Sequence, residues 1–187
     1  MKILLLNDRR GVSEEKLIYD ALLDLLKSAG HDVENFTLSN TEIMPCVGCF
    51  DCWLKTPGQC TITTDAANVI AAKAVGADAI VILSEIVFGG YSADVKSLLD
   101  RKVQNILPFF EIYRGEMHHE QRYDRSPAWI SIGYGDASDA EKQTFVRLMD
   151  RNALNFRPRG HLALTVLDEH ELADEGKSIL AALEGTA

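Results

Sequence analysis

The stretch "PCVGCFDCW" (45–53) sets three cysteines three residues apart, and "LKTPGQC" adds a fourth. Cys46, Cys49, Cys52 and Cys60 therefore read C-x2-C-x2-C-x7-C, and the chain has no other cysteine. Three thiolates at that spacing on a compact turn reach three corners of a 4Fe-4S cubane, and a more distant fourth closes it. Zinc is less well served, because structural zinc usually takes two separated two-cysteine knuckles. A reversible Cys46–Cys49 or Cys49–Cys52 disulfide is a third option, and free thiols that merely pack are a fourth. Spacing alone leaves these open.

Two other stretches carry side chains suited to chemistry. "SEIVFGGYS" (84–92) puts Gly89 and Gly90 between two aromatics, so that a backbone can approach a flat ligand closely while Phe88 or Tyr91 lies against it; a tight turn with two core aromatics is the competing reading. "GEMHHEQRY" (115–123) holds His118 and His119, side chains suited to ligation, although adjacent residues rarely point at one metal ion. No Ser/His/Asp or paired-carboxylate constellation is present.

These residues need a frame. The chain has 187 residues at 47% hydrophobic composition, enough to bury one good core, and no linker-like tract or repeat divides it, so one domain over 1–187 is expected. The start, "MKILLLNDRR", has an apolar run of only four residues, too short for a secretory h-region or a membrane span. The reading is a cytoplasmic protein with reduced thiols, without membrane contact. A formal charge of -9 with scattered Lys and Arg argues against nucleic acid as a partner.

Apolar runs at 2–6, 32–38, 79–83, 128–133 and 162–167 alternate with helical periodicity. Leu17, Ile18, Ala21, Leu22, Leu25 and Leu26 share one helical face, with Ser13 as N-cap and Gly30 as the stop. A second helix near 65–75 rests on Val69, Ile70 and Val75, and a third starts at Ser92 with Val95, Leu98, Leu99 and Val103. "SDAE" (138–141) and "DEHE" (168–171) are capping-box patterns before two more. Strict alternation of five strands and five helices predicts an α/β flavodoxin-like three-layer sandwich, with a five-stranded parallel sheet of order 2-1-3-4-5. In such a sheet the ligand crevice lies beyond the C-terminal strand ends, where loops 7–13, 84–92 and 133–138 would converge, with cysteine loop 45–60 beside them. An insert, 104–127, separates the third helix from the fourth strand.

"PCVGCFDCWLKTPGQC", "FGGYSADVKSLLDR", "GEMHHEQRYDR" and the order of elements along the chain resemble the flavodoxin-like NADPH-dependent FMN reductases, in particular their cysteine-loop branch, which includes the iron-sulfur flavoproteins. The resemblance implies bound FMN, with NAD(P)H as co-substrate, a small-molecule or protein electron acceptor, and a homodimer or homotetramer. Carried over by position, the flavin ring meets Ile86, Val87, Phe88, Gly89, Gly90, Tyr91 and Ser92, with Gly133, Tyr134, Gly135 and Asp136 closing its other side. Its phosphate falls to Asn7, Arg9, Arg10 and Ser13 in a loop that reads "NDRRGVSEE" where the family typically opens Gly-Ser-Pro. Asp8, Glu14 and Glu15 bring negative charge there, which Arg9 and Arg10 would offset by binding the phosphate directly. Glu85 stands where the family commonly has proline. The cysteine spacing is the branch's cluster motif. No catalytic side chain is required, since the flavin carries the chemistry. The alternatives are an iron-sulfur flavoprotein electron carrier, or a non-catalytic interaction protein that kept the fold and lost FMN; in the subunit contact, the apolar "ILPFF" (106–110) and the histidines would line a neighbour's site.

Overall fold

Ile3, Leu4, Leu5 and Leu6 leave water only if a strand is covered on both faces, and β1 (Lys2–Asn7) buries all four in the centre of a parallel sheet. The computed structural model describes residues 1–11 and 13–185, apart from the side chains of Ser13 and Glu14. After β1 come α1 (Ser13–Ser28), β2 (Asp32–Thr37), the one-turn α2 (Asp51–Leu54) inside the cysteine loop, α3 (Ala67–Gly76) and β3 (Ala79–Glu85). Then follow α4 (Ala93–Arg101), β4 (Ile106–Tyr113), β5 (Glu116–Gln121), β6 (Ala128–Tyr134), α5 (Asp139–Phe156), β7 (His161–Val166), α6 (Glu169–Asp174) and α7 (Gly176–Glu184).

The main sheet runs β2-β1-β3-β6-β7 with every pair parallel, which is the expected 2-1-3-4-5 order once the β4-β5 hairpin is set aside. Alternation along the strands divides the core in two. Ile3 and Leu5 face α1, α6 and α7, while Leu4 and Leu6 face α3, α4 and α5. Each fully buried Leu or Ile contributes about 1.5–3 kcal/mol. Among the described residues no helix is long and apolar enough to cross a membrane.

The 138–141 pattern forms a complete capping box, and the 168–171 pattern only its Asp168 half, since Glu171 accepts from the Leu167 N–H instead. Ser138 accepts from the Glu141 N–H while Glu141 accepts from the Ser138 N–H, and the Asp168 carboxylate takes the N–H groups of His170 and Glu171. Gly30 ends α1 at φ +79°. The N-cap role expected of Ser13 lies outside the described residues.

Two local expectations are corrected, and the insert acquires a structure. Leu17 and Val69 are 48% and 54% exposed, because α1 docks through Ile18, Leu22 and Leu26 and α3 through Ala67, Ile70, Ala71 and Ala74. The C-terminal helix is broken at Glu175 into α6 and α7. The insert is an antiparallel hairpin that pairs Tyr113 with Glu116 across Arg114 and Gly115, both at positive φ, the turn that suits a twisted two-strand ribbon.

Candidate functional site

The C-terminal rim of the sheet is tied together by one carboxylate. Asp8, just past β1, is 2% exposed and accepts from the Tyr134 hydroxyl at 2.8 Å, Ser84 Oγ at 3.0 Å and the Glu85 N–H at 3.0 Å. A carboxylate is removed from water only when donors replace its hydration, and these donors come from the ends of β6 and β3. Loops 7–13, 84–92 and 133–138 are thereby brought together. Burial first, and then the Asp8 charge, push the Tyr134 phenol well above its ordinary range, so it remains a donor. Ser84 Oγ also accepts the Ser92 N–H at 3.0 Å, which fixes the start of α4.

In the loop after β3, Val87 and Gly90 exchange N–H···O bonds of 3.0 and 2.9 Å around a turn in which Phe88 and Gly89 take φ of +50° and +76°. Phe88 at its tip is 91% exposed. The glycines here answer to packing as well as to conformation: a Cβ on Gly89 would stand 2.8 Å from the Thr144 side chain, and one on Gly133 2.8 Å from Ile86. Tyr91 turns inward. Its hydroxyl meets Ser131 Oγ at 2.7 Å, its ring is edge-on to Phe145, and burial pushes its phenol up to about 12. Of the two aromatics expected against a flat ligand, only Phe88 faces outward. Ile86 and Tyr134 are buried, Val87 is 39% exposed, and Gly135 and Asp136 continue the rim at its accessible edge. Two buried polar atoms lack a partner in this region, Asn7 Oδ1 and Ser92 Oγ. The Asn7 Nδ2 group donates to the Phe36 carbonyl.

Both arginines of the expected phosphate loop are engaged by the chain itself. The Arg10 N–H donates to Glu15 Oε2 at 2.9 Å, and the Arg10 guanidinium pairs with Asp94 at 2.8 Å. The Arg9 guanidinium lies 4.2 Å over the Tyr19 ring, and its carbonyl accepts from Ser39 Oγ. The side chain of Ser13, the remaining residue expected here, is not among those described.

Cys46, Cys49, Cys52 and Cys60 are free and line one cavity of about 270 Å³. Burial, then the neighbouring Cys60, Cys46 and Cys49, raise the Cys52 thiol. Among the described residues, no three His, Cys, Asp or Glu are arranged around a single metal ion. A cubane asks for something else, one thiolate at each of four irons.

The loop is held from below by Arg101, a charge at a core position of α4. Its guanidinium donates to Asp65 at 2.7 Å and to the carbonyls of Met44 at 2.9 Å and Ile62 at 3.0 Å, and both charged side chains are inaccessible. This bond set joins the two ends of the loop. Further support comes from Trp53 Nε1, which donates to the carbonyls of Val103 and Ile106, and from the Cys60 N–H, bonded to Gln104 Oε1 at 2.8 Å.

His118 and His119 point to opposite faces of the hairpin, as the two-residue period of a strand requires. His118 meets Asn155 and Glu116. His119 lies between the rings of Phe110 at 4.4 Å and Trp53 at 5.0 Å, and Trp53 stacks on Phe50 at 5.1 Å. Asp8, Asp65 and Arg101 had no place in the sequence reading as site residues. The available signals were a charge directly after a buried strand and another on the apolar face of α4.

A family described as NADPH-dependent FMN reductase matches residues 1–138. An iron-sulfur flavoprotein of Methanocaldococcus jannaschii is 35% identical over 85 residues, 46% of this chain and 42% of that protein. One from Methanosarcina thermophila is 34% identical over 95 residues, 51% of this chain and 48% of its own. The chain thus matches less than half the length of these curated relatives. A Bacillus anthracis FMN-dependent NADH-azoreductase, solved in complex with FMN, shares the fold with a TM-score of 0.61 at 15% identity, covering 100% of both chains.

Proposed function

Because the chain belongs to the NADPH-dependent FMN reductase family, we propose that it is an FMN-dependent oxidoreductase that takes reducing equivalents from NADH or NADPH and passes them to a small-molecule or protein acceptor. The observation that carries this reading is the convergence of three loops on Asp8 at the rim where an open parallel sheet offers its ligand crevice. The residues there fit a flavin. Phe88 offers an uncovered ring face beside the accessible edge at Gly135 and Asp136. Ile86 to Ser92 and Gly133 to Asp136 would hold the ring, with Arg9 and Arg10 nearest the phosphate. When bound, the flavin supplies the hydride and single-electron chemistry. The chain's part is to orient the ring, keep Tyr134 protonated against Asp8, and exclude water beneath Ile86.

A second reading, an iron-sulfur flavoprotein that carries electrons singly, is favoured by the four thiols around one cavity and by the names of the curated relatives. Cys46, Cys49, Cys52 and Cys60 would be the ligands of a 4Fe-4S cluster. Either activity suits a cytoplasmic setting. The hairpin supports a homodimer or homotetramer, since Phe109, Phe110, Ile112 and Met117 are each more than 60% exposed.

Purification under argon tests both readings. A yellow protein that takes up FMN saturably and oxidises NAD(P)H with a quinone supports the first, and a brown shoulder with stoichiometric iron and sulfide supports the second. Colourless, well-folded protein that takes up no added flavin removes both.

A further inference from the structure

Of the groups that the phosphate loop would offer to an anion, those of Arg9 and Arg10 are already engaged by side chains of the same chain. Arg10 gives its N–H to Glu15 and its guanidinium to Asp94. Arg9 is laid on Tyr19, and the Glu85 N–H, at the adjoining strand end, belongs to Asp8. The carboxylates of Asp8, Glu15 and Glu85 all act on Tyr134 at this rim and Asp94 pairs with Arg10, against the guanidiniums of Arg9 and Arg10, so a dianion arriving here meets a surplus of its own sign among the described side chains. The body of a flavin carries no charge of its own to be repelled, and Phe88 offers it a neutral ring face.

We propose that Glu15 and Asp94 compete with the FMN phosphate for Arg10, so that the rim takes flavin as an exchangeable ligand and gains little from the phosphate group. This rests on the flavin reading above. An ordinary phosphate loop offers free N–H groups and a helix dipole, and its affinity falls as salt screens the attraction. Here the Arg10 guanidinium is held by Asp94 and its N–H by Glu15, and the charge of the described side chains around it is net negative. Affinity for FMN is therefore close to that for riboflavin, and added salt leaves it level or raises it.

The test is titration of the full chain with FMN and with riboflavin, followed by quenching of flavin fluorescence, for the wild type, Glu15→Gln and Asp94→Asn. Removing one of these carboxylates tightens FMN by roughly three- to tenfold. Riboflavin binding stays unchanged. Repeating the wild-type titration from low to moderate salt needs no variant, and the expected slope for FMN is zero or positive. The proposal is overturned if FMN binds the wild type far more tightly than riboflavin does, if salt weakens FMN binding steeply, or if folded variants show no gain or an equal gain for riboflavin. Flavin binding without these signatures rejects the competition alone. No flavin binding by any of the three proteins rejects the flavin reading together with it.

Discussion

The Tyr134 hydroxyl donates to Asp8 across 2.8 Å, joining the end of β6 to the end of β1. Replacing Tyr134 with Phe leaves the Asp8 carboxylate with Ser84 Oγ and the Glu85 N–H, and lowers stability by about 1–3 kcal/mol in urea unfolding. Because the phenol is held far above its ordinary range, the same variant leaves the phenolate absorbance that develops below pH 11 unchanged. A drop in that absorbance would show that Tyr134 ionises normally and that the Asp8 bond is not formed.

Asp65 makes a second claim on charge inside the protein. Burial alone would raise its carboxyl, but the bonds from Arg101 and from the N–H groups of Met44 and Ala67 outweigh it and leave the group below its ordinary range. A depressed folded pKa contributes stability at neutral pH and loses it as pH falls below about 4. Asp65→Asn strands Arg101 and costs about 3–5 kcal/mol at pH 7, with the penalty shrinking in acid. The same variant frees the cysteine loop, so Cys52, the buried thiol, alkylates sooner than in the wild type.

Lys102 is 4% exposed, with its ammonium 4.2 Å over Trp129 and 4.7 Å over Phe156, and burial lowers it to about 7. Here the folded pKa lies below the unfolded one, so the destabilisation is fully present below pH 7 and is relieved as pH rises toward 10.5. Lys102→Met keeps the stem's packing. It raises stability at pH 6 by about 1–3 kcal/mol, the ring contacts offsetting part of the desolvation, and the gain fades by pH 10. A gain that does not vary with pH would place the effect in packing alone.

The exposed apolar row on the hairpin predicts assembly. Sedimentation should give a mass of two or four chains for the wild type, and Ile112→Asp, 70% exposed and outside the core, should release monomers without lowering the melting temperature of the sheet. A wild-type monomer at every concentration removes the proposed interface.

The sheet and its helices were legible because continuous apolar runs such as Ile80 to Leu83 and the face Ile18, Leu22, Leu26 allow few other arrangements. The hairpin was not legible as one: "ILPFF" reads as an apolar insert in want of a cover, with no strand alternation to mark it, and only the "RG" pair at 114–115 hints at its turn. Tyr91 could not be told from Phe88 in sequence, because which of the two turns inward depends on Ser131 beneath the loop. Asp8 was read as an unwelcome charge beside a phosphate. Its actual neighbours arrive from 76 and 126 residues further along the chain, beyond the reach of local pattern.

Phe110, His119, Trp53 and Phe50 stand ring against ring from the hairpin to the sulfur-bearing turn. The turn therefore has no hinge of its own on that side. A body gripping the outer ribbon would also stiffen the seat of the thiols, and peeling it away would slacken them, through a lever of four side chains.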